Sequence, residues 1–181
     1  MAVKKDNQII KIFLPIIQQG LINDGFLNVT VKQSNQPTQQ GIPNTPVVYF
    51  FKVANKRYGY LGRYDKWVNA PVMEHHEVQY MEITFQVSAL VLQYPTTPNQ
   101  YTASDLVNEV ASIMQSDKTR SILNNAGIGI LRVMDVTNPY FVDDRDQFEA
   151  SPSFDFTLTY KDDRFSESPA VSEYEYNILP V

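Results

Sequence analysis

Residues Glu77 to Gln93 constrain the fold more than any other stretch of the chain. Met81, Ile83, Phe85, Val87, Ala89 and Val91 alternate there with Glu82, Thr84, Gln86, Ser88, Leu90 and Leu92. A period of two marks a β-strand, whose successive side chains point to opposite faces. The run is roughly three times the usual strand of five or six residues, and its second half is apolar on both sides. One part is therefore expected to be half solvated, and the other covered on both faces by a helix or a neighbouring subunit.

The flanking sequence supplies partners for such a strand. Ile9, Ile10, Phe13, Ile16 and Ile17 recur at helical spacing between Asp6 and Ile22, with Asp6 or Asn7 as N-cap, and Pro15 is expected to kink this helix or divide it. Gly25 to Lys32 and Val47 to Ala54 read as strands, the second followed by a turn at Asn55. Between them, residues 33–46 are rich in Gln, Asn, Pro and Thr and read as a flexible polar loop. Asn55 to Asn69 mixes glycines, aromatics and cations and reads as an extended loop or hairpin arm.

Beyond the long strand, Thr102 and Asp105 match a capping box ahead of the apolar stripe Leu106, Val107, Val110, Ile113 and Met114. A shorter helical turn through Arg120 to Asn125 is expected to stop at Gly127. Gly127 to Val136 and Phe148 to Tyr160 read as further strands, joined by a turn with a charged tip over Asn138 to Asp146. Residues 165–181, where Glu173 and Glu175 alternate with Tyr174 and Tyr176, read as a C-terminal arm or edge strand. Together these elements describe a single α+β domain over residues 1–181, with a mixed or mainly antiparallel sheet and two or three helices packed on one face.

No apolar run approaches the ~20 residues needed to cross a bilayer, so a soluble chain without a secretion signal is expected. The absence of cysteine excludes disulfides, thiolate metal sites and a cysteine nucleophile. A net charge of −5 argues against general nucleic-acid binding, which depends on Lys and Arg neutralising phosphates.

His75 and His76 are the only histidines, and as neighbours on a strand they point to opposite faces, which suits neither one metal nor a triad. Glu74, Glu77 and Glu82 read as solvated strand residues rather than a paired acid and base. Asp143, Asp144 and Asp146 lack the spacing of a calcium loop and fit ion pairing with Arg145 or with a partner's cation. Gly127-Ile128-Gly129 precedes a strand and reads as a helix stop, not a phosphate loop. The Tyr58, Tyr60, Arg63, Tyr64, Lys66 and Trp67 cluster allows a small nucleic-acid-binding module, but an acidic chain favours a protein interface. No residue set points to an enzyme or to a cofactor.

The run from Ala126 to Tyr160, with Phe85-Gln-Val-Ser-Ala-Leu-Val and the Thr102-Ala-Ser-Asp-Leu helix start before it, resembles a family of tailed-phage neck and tail-terminator proteins. The resemblance covers roughly Tyr80 to Tyr160. It implies a tail-terminator-like fold and a structural subunit without an active site. Copies would form a ring, usually of six, that ends the tail tube and joins it to the head-proximal connector. It also implies a place in the virion after assembly in the bacterial cytoplasm, with tube, sheath and neck proteins as partners and DNA only as cargo through the lumen. A tail-tube or other connector subunit is the alternative within the same class. Asp143, Asp144, Arg145 and Asp146, with Tyr140 and Phe141 beside them, are the expected contacts to other subunits or to the neck.

Overall fold

The computed structural model describes residues 6–34, 45–69, 72–92, 99–142 and 148–169. Among these residues, three helices and seven strands follow in order: α1 (Asp6–Asn23), β1 (Thr30–Gln33), β2 (Val47–Asn69), β3 (Val72–Leu90), α2 (Ala103–Gln115), α3 (Asp117–Asn125), β4 (Ile128–Val133), β5 (Tyr140–Val142), β6 (Phe148–Ala150) and β7 (Ser153–Pro169). Five strands form one sheet in the order β1-β2-β3-β7-β4, and β5 and β6 form a separate hairpin. The β1–β2 pair is parallel and the others are antiparallel, so the sheet is mixed. The expected α+β class, with helices on one face of a mixed sheet, is what is found.

The alternating run is the middle of this sheet. Ile83, Phe85 and Val87 of β3 lie beside Leu158, Phe156 and Phe154 of β7, and β2 adds Val48 and Phe50 to the same face. Helix α1 lays Phe13 onto that surface, with its ring 5.1, 5.0 and 5.5 Å from those of Phe50, Phe85 and Phe156 in edge-on contacts. Such contacts add about 0.5–1.5 kcal/mol each beyond burial. Leu106, Val110 and Met114 of α2 and Leu123 of α3 complete the core.

Local signals explain the helix boundaries. Thr102 and Asp105 form the capping box, with Thr102 Oγ1 accepting from the Asp105 N–H at 3.1 Å and the Asp105 carboxylate accepting from the Thr102 N–H at 2.8 Å. Ser116 ends α2 and caps α3, where its hydroxyl accepts from the Thr119 N–H at 3.2 Å. The Thr119 hydroxyl turns back to donate to the Ile113 carbonyl at 2.7 Å, which satisfies a buried polar group at the corner.

Several boundaries differ from the sequence expectation. Pro15 does not divide α1, which runs continuously because Phe13, Ile17 and Leu21 keep one buried stripe on both sides of it. The strand expected from Gly25 begins only at Thr30, because Gly25 and Asn28 have φ of 89° and 65° and break the extended chain. No turn follows Asn55, and β2 continues to Asn69. The long strand starts earlier and ends sooner than Glu77–Gln93, and Gly127–Val136 contracts to β4. Phe148–Tyr160 is two strands interrupted at Ser151-Pro152, the second continuing to Pro169. Most of the polar loop at 33–46, and the tail beyond Pro169, lie outside the described residues.

Candidate assembly interface

The three long strands reach well beyond the helices. In antiparallel pairs directly opposed residues share a face, so the register assigns every paired residue of β2, β3 and β7 to one of two surfaces. In the proximal half, the helix-covered face holds Phe50, Phe85 and Phe156, while the other carries Thr84, Thr157, Gln86 and Asp155. Thr84 and Thr157 hydroxyls lie 3.0 Å apart, and Gln86 Nε2 donates to Asp155 at 3.0 Å. This is a polar, solvent-adapted surface.

Beyond Met81 and Tyr160 the polarity exchanges sides. The continuation of the helix-side face carries Arg63, Glu77, His75, Asp65, Asp162 and Arg164. The continuation of the polar face carries Tyr58, Tyr64, His76, Val78, Tyr80 and Phe165, with Lys161, Asp163, Lys66 and Glu74 among them. Among the described residues no helix or strand covers that aromatic face, and Tyr58, Tyr64, Tyr80 and Phe165 are each 41–48% exposed. A distal arm therefore presents an aromatic surface, interspersed with paired charges, on the side of the sheet opposite the helices.

His76 organises this surface. Its ring is stacked on Tyr64 at 4.6 Å and 3°, and on Phe165 at 5.6 Å. Only 7% of His76 is exposed. Its Nδ1 lies 2.9 Å from Asp163 Oδ1 and its Nε2 3.0 Å from Glu74 Oε2. The hydrogen bonds to Asp163 and then Glu74 hold the imidazole above its ordinary value of 6.5, against the opposing effect of burial. Conversely, the His76 hydrogen bond holds the Asp163 carboxyl below its ordinary value of 3.8. The arm is thus cross-linked from β3 to β7 by an imidazole between two carboxylates. His75 points to the other face, 2.7 Å from both Asp65 and Ser168.

Near its middle, β2 bulges. Tyr58 pairs with Tyr80 and Gly62 with Val78, so Gly59, Tyr60 and Leu61 face the single residue Gln79. Gly59 takes φ of 71°, and Gln79 Nε2 closes the bulge by donating to the Tyr58 carbonyl at 2.8 Å. Tyr60 is left 98% exposed.

The sequence singled out the Tyr58 to Trp67 cluster, and the structure makes it the outer strand of the arm. Two of its cations are taken up by the neighbouring strand, Arg63 by Glu77 at 3.2 Å and Lys66 by Glu74 at 3.8 Å. Glu74 and Glu77 lie on opposite faces and form no acid–base pair. Among the described residues no group of three or more His, Asp or Glu could hold a metal. Tyr140 and Phe141 lie in β5 of the small hairpin, whereas Asp143, Asp144, Arg145 and Asp146 lie outside the described residues. The aromatic face was missed because its members are spread over three strands. Only the register, with its bulges, brings them together.

Comparison with known proteins gives this arrangement a context. None of the curated proteins matches the chain. Among solved structures, the chain is similar to the sheath/tube terminator of PVC, an extracellular contractile injection system, in its extended state, with a TM-score of 0.56 at 10% identity. The alignment covers 100% of this chain and 65% of that one, so the chain spans somewhat less than two thirds of its length. At this identity the likeness is one of fold. A family model matches residues 8–170, almost the whole chain, and by that match the protein belongs to the phage family described as E217 gateway protein gp29.

Proposed function

We propose that this chain is a structural subunit of a phage neck or tail, whose copies form a ring that terminates the tail tube and joins it to the head-proximal connector. The observation that carries the reading is the aromatic face of the arm. Among the described residues the helices cover only the base of the sheet and leave the aromatic half of the arm exposed, and an exposed aromatic surface of this kind marks a protein partner. Family membership and the terminator-like fold support a tail partner over other kinds. In the assembled virion, tube, sheath and neck proteins would contact the ring and DNA would pass through it. The segment of Asp143, Asp144, Arg145 and Asp146, flanked by Tyr140 and Phe141, is proposed as a contact to the neck or to another subunit.

Light scattering after size exclusion, across concentration, tests the reading when followed by images of the large species. A closed ring of about six copies is the expected product. Open tubes would assign the chain to the tube instead. The double variant Tyr64→Asp/Phe165→Asp should keep its far-UV circular dichroism and stay monomeric; a variant that assembles like the wild type would remove the aromatic face from the interface.

A further inference from the structure

The bulge of β2 projects a tyrosine beside cations unpaired among the described residues, and a groove among the helices is concave and lined by two carboxylates. The groove, of about 510 Å³, opens where α1 meets α2 and α3. Its walls are largely apolar, from Ile16, Gly20, Ile113 and Ile122, and its lining includes the carboxyls of Asp24 and Glu109. Burial first, and then the neighbouring Asp24, push the Glu109 carboxyl above its ordinary range. Among the described residues neither acid has an ion-pair partner, and Lys118 is the one cation lining the groove.

The bulge has the opposite character. It projects Tyr60, and Leu61 beside it lines a small cleft with Arg57, Glu77 and Asp162; neither Lys56 nor Arg57 has an ion pair among the described residues. Strand β2 holds five of the fifteen lysines and arginines but one of the twenty carboxylates. Among the described residues the groove is lined only by α1, α2, α3 and the residues at their ends, and the bulge of the same chain is not among them. Its size lies within the roughly 300–1,000 Å³ typical of sites that bury a ligand, enough for a tyrosine and a leucine side chain.

We propose that the groove receives the Tyr60–Leu61 bulge of a second copy, with Arg57 of the incoming copy set against Asp24 and Glu109. Each copy then offers a knob to one neighbour and a groove to the other. Such a head-to-tail contact closes into a ring when its rotation permits. This deepens the ring reading above, and rests on it.

The chain has no cysteine, so single cysteines report the contact cleanly. Tyr60→Cys and Ser112→Cys both fall on exposed side chains, Ser112 at the lip of the groove. Under mild oxidation, mixing the two variants should give the 60–112 link well in excess of 60–60 and 112–112 links. The double variant should give a covalent ladder ending in a closed ring. Glu109→Lys should lower the yield of the 60–112 link about tenfold, and Arg57→Glu on the other copy should restore it. A wild-type chain that forms rings while the 60–112 link shows no excess overturns the bulge-in-groove contact and leaves the ring reading intact. A chain that stays monomeric and gives no excess link overturns both, because the proposed contact needs no third protein.

Discussion

Gly20 is where the packing of the helices is least forgiving. A Cβ there would lie 2.7–2.9 Å from three side-chain atoms of Ile113, closer than carbon atoms tolerate. Gly20→Ala must therefore displace Ile113, and although alanine favours the helix, overpacking should dominate with a net loss of about 1–3 kcal/mol in chemical denaturation. His76 makes the opposite kind of contribution, because its environment favours its charged form. Its folded-state value is raised, so its contribution is complete below 6.5 and is lost as pH rises through that raised value. Asp163 is depressed, so its contribution is complete above 3.8 and is lost as pH falls through its lowered value. Both operate between 3.8 and 6.5. The gap in thermal midpoint between wild type and His76→Gln should be widest in that window and narrow as pH rises through the raised value of His76. A gap independent of pH would mean that His76 serves by stacking alone.

Elements differ in how openly the sequence announces them. Helix α2 was legible because its signals are local: a capping box and an apolar stripe lie within thirteen residues. Thr102→Ala should cost about 1 kcal/mol, and urea unfolding would reveal a neutral cap. β3 was legible for the same reason, since one strand carries its own alternation. β2 was not legible as one strand, because single-residue bulges at Val53 and Val68 each reverse its phase and a two-residue insertion at Gly59 to Leu61 interrupts it, so no single period spans it. The exchange of apolar side also hid the arm. Tyr80 exposed and Met81 buried look like a break in the β3 pattern, yet β3 and β7 stay in register without a shift from Val72 to Ser88. What changes there, among the described residues, is the layer that the sheet meets: helices on one side at the base, an exposed aromatic surface on the other along the arm. Sequence records which residues are apolar, but not which neighbour they await.

At the scale of the molecule, charge is distributed unevenly in a way that net charge conceals. A chain of −5 would be expected to repel its own copies, yet β2 is a basic strip while Asp24 and Glu109 make the helical groove acidic. The two effects have different ranges. Repulsion between net charges acts over the distance between subunit centres and is already screened at about 0.1 M salt, where the Debye length is roughly 10 Å. Attraction between a docked cation and a groove carboxylate acts within a few ångströms and fades only as that length falls to about 3 Å at 1 M. Burial of aromatic surface is not weakened by simple salt. The self-association constant, measured by sedimentation, should therefore fall as sodium chloride rises from about 0.1 to 1 M, and Glu109→Gln should flatten that dependence. A constant that holds or rises over the same range would assign the contact between copies to the apolar face of the arm alone, with the basic strip of β2 serving a different partner.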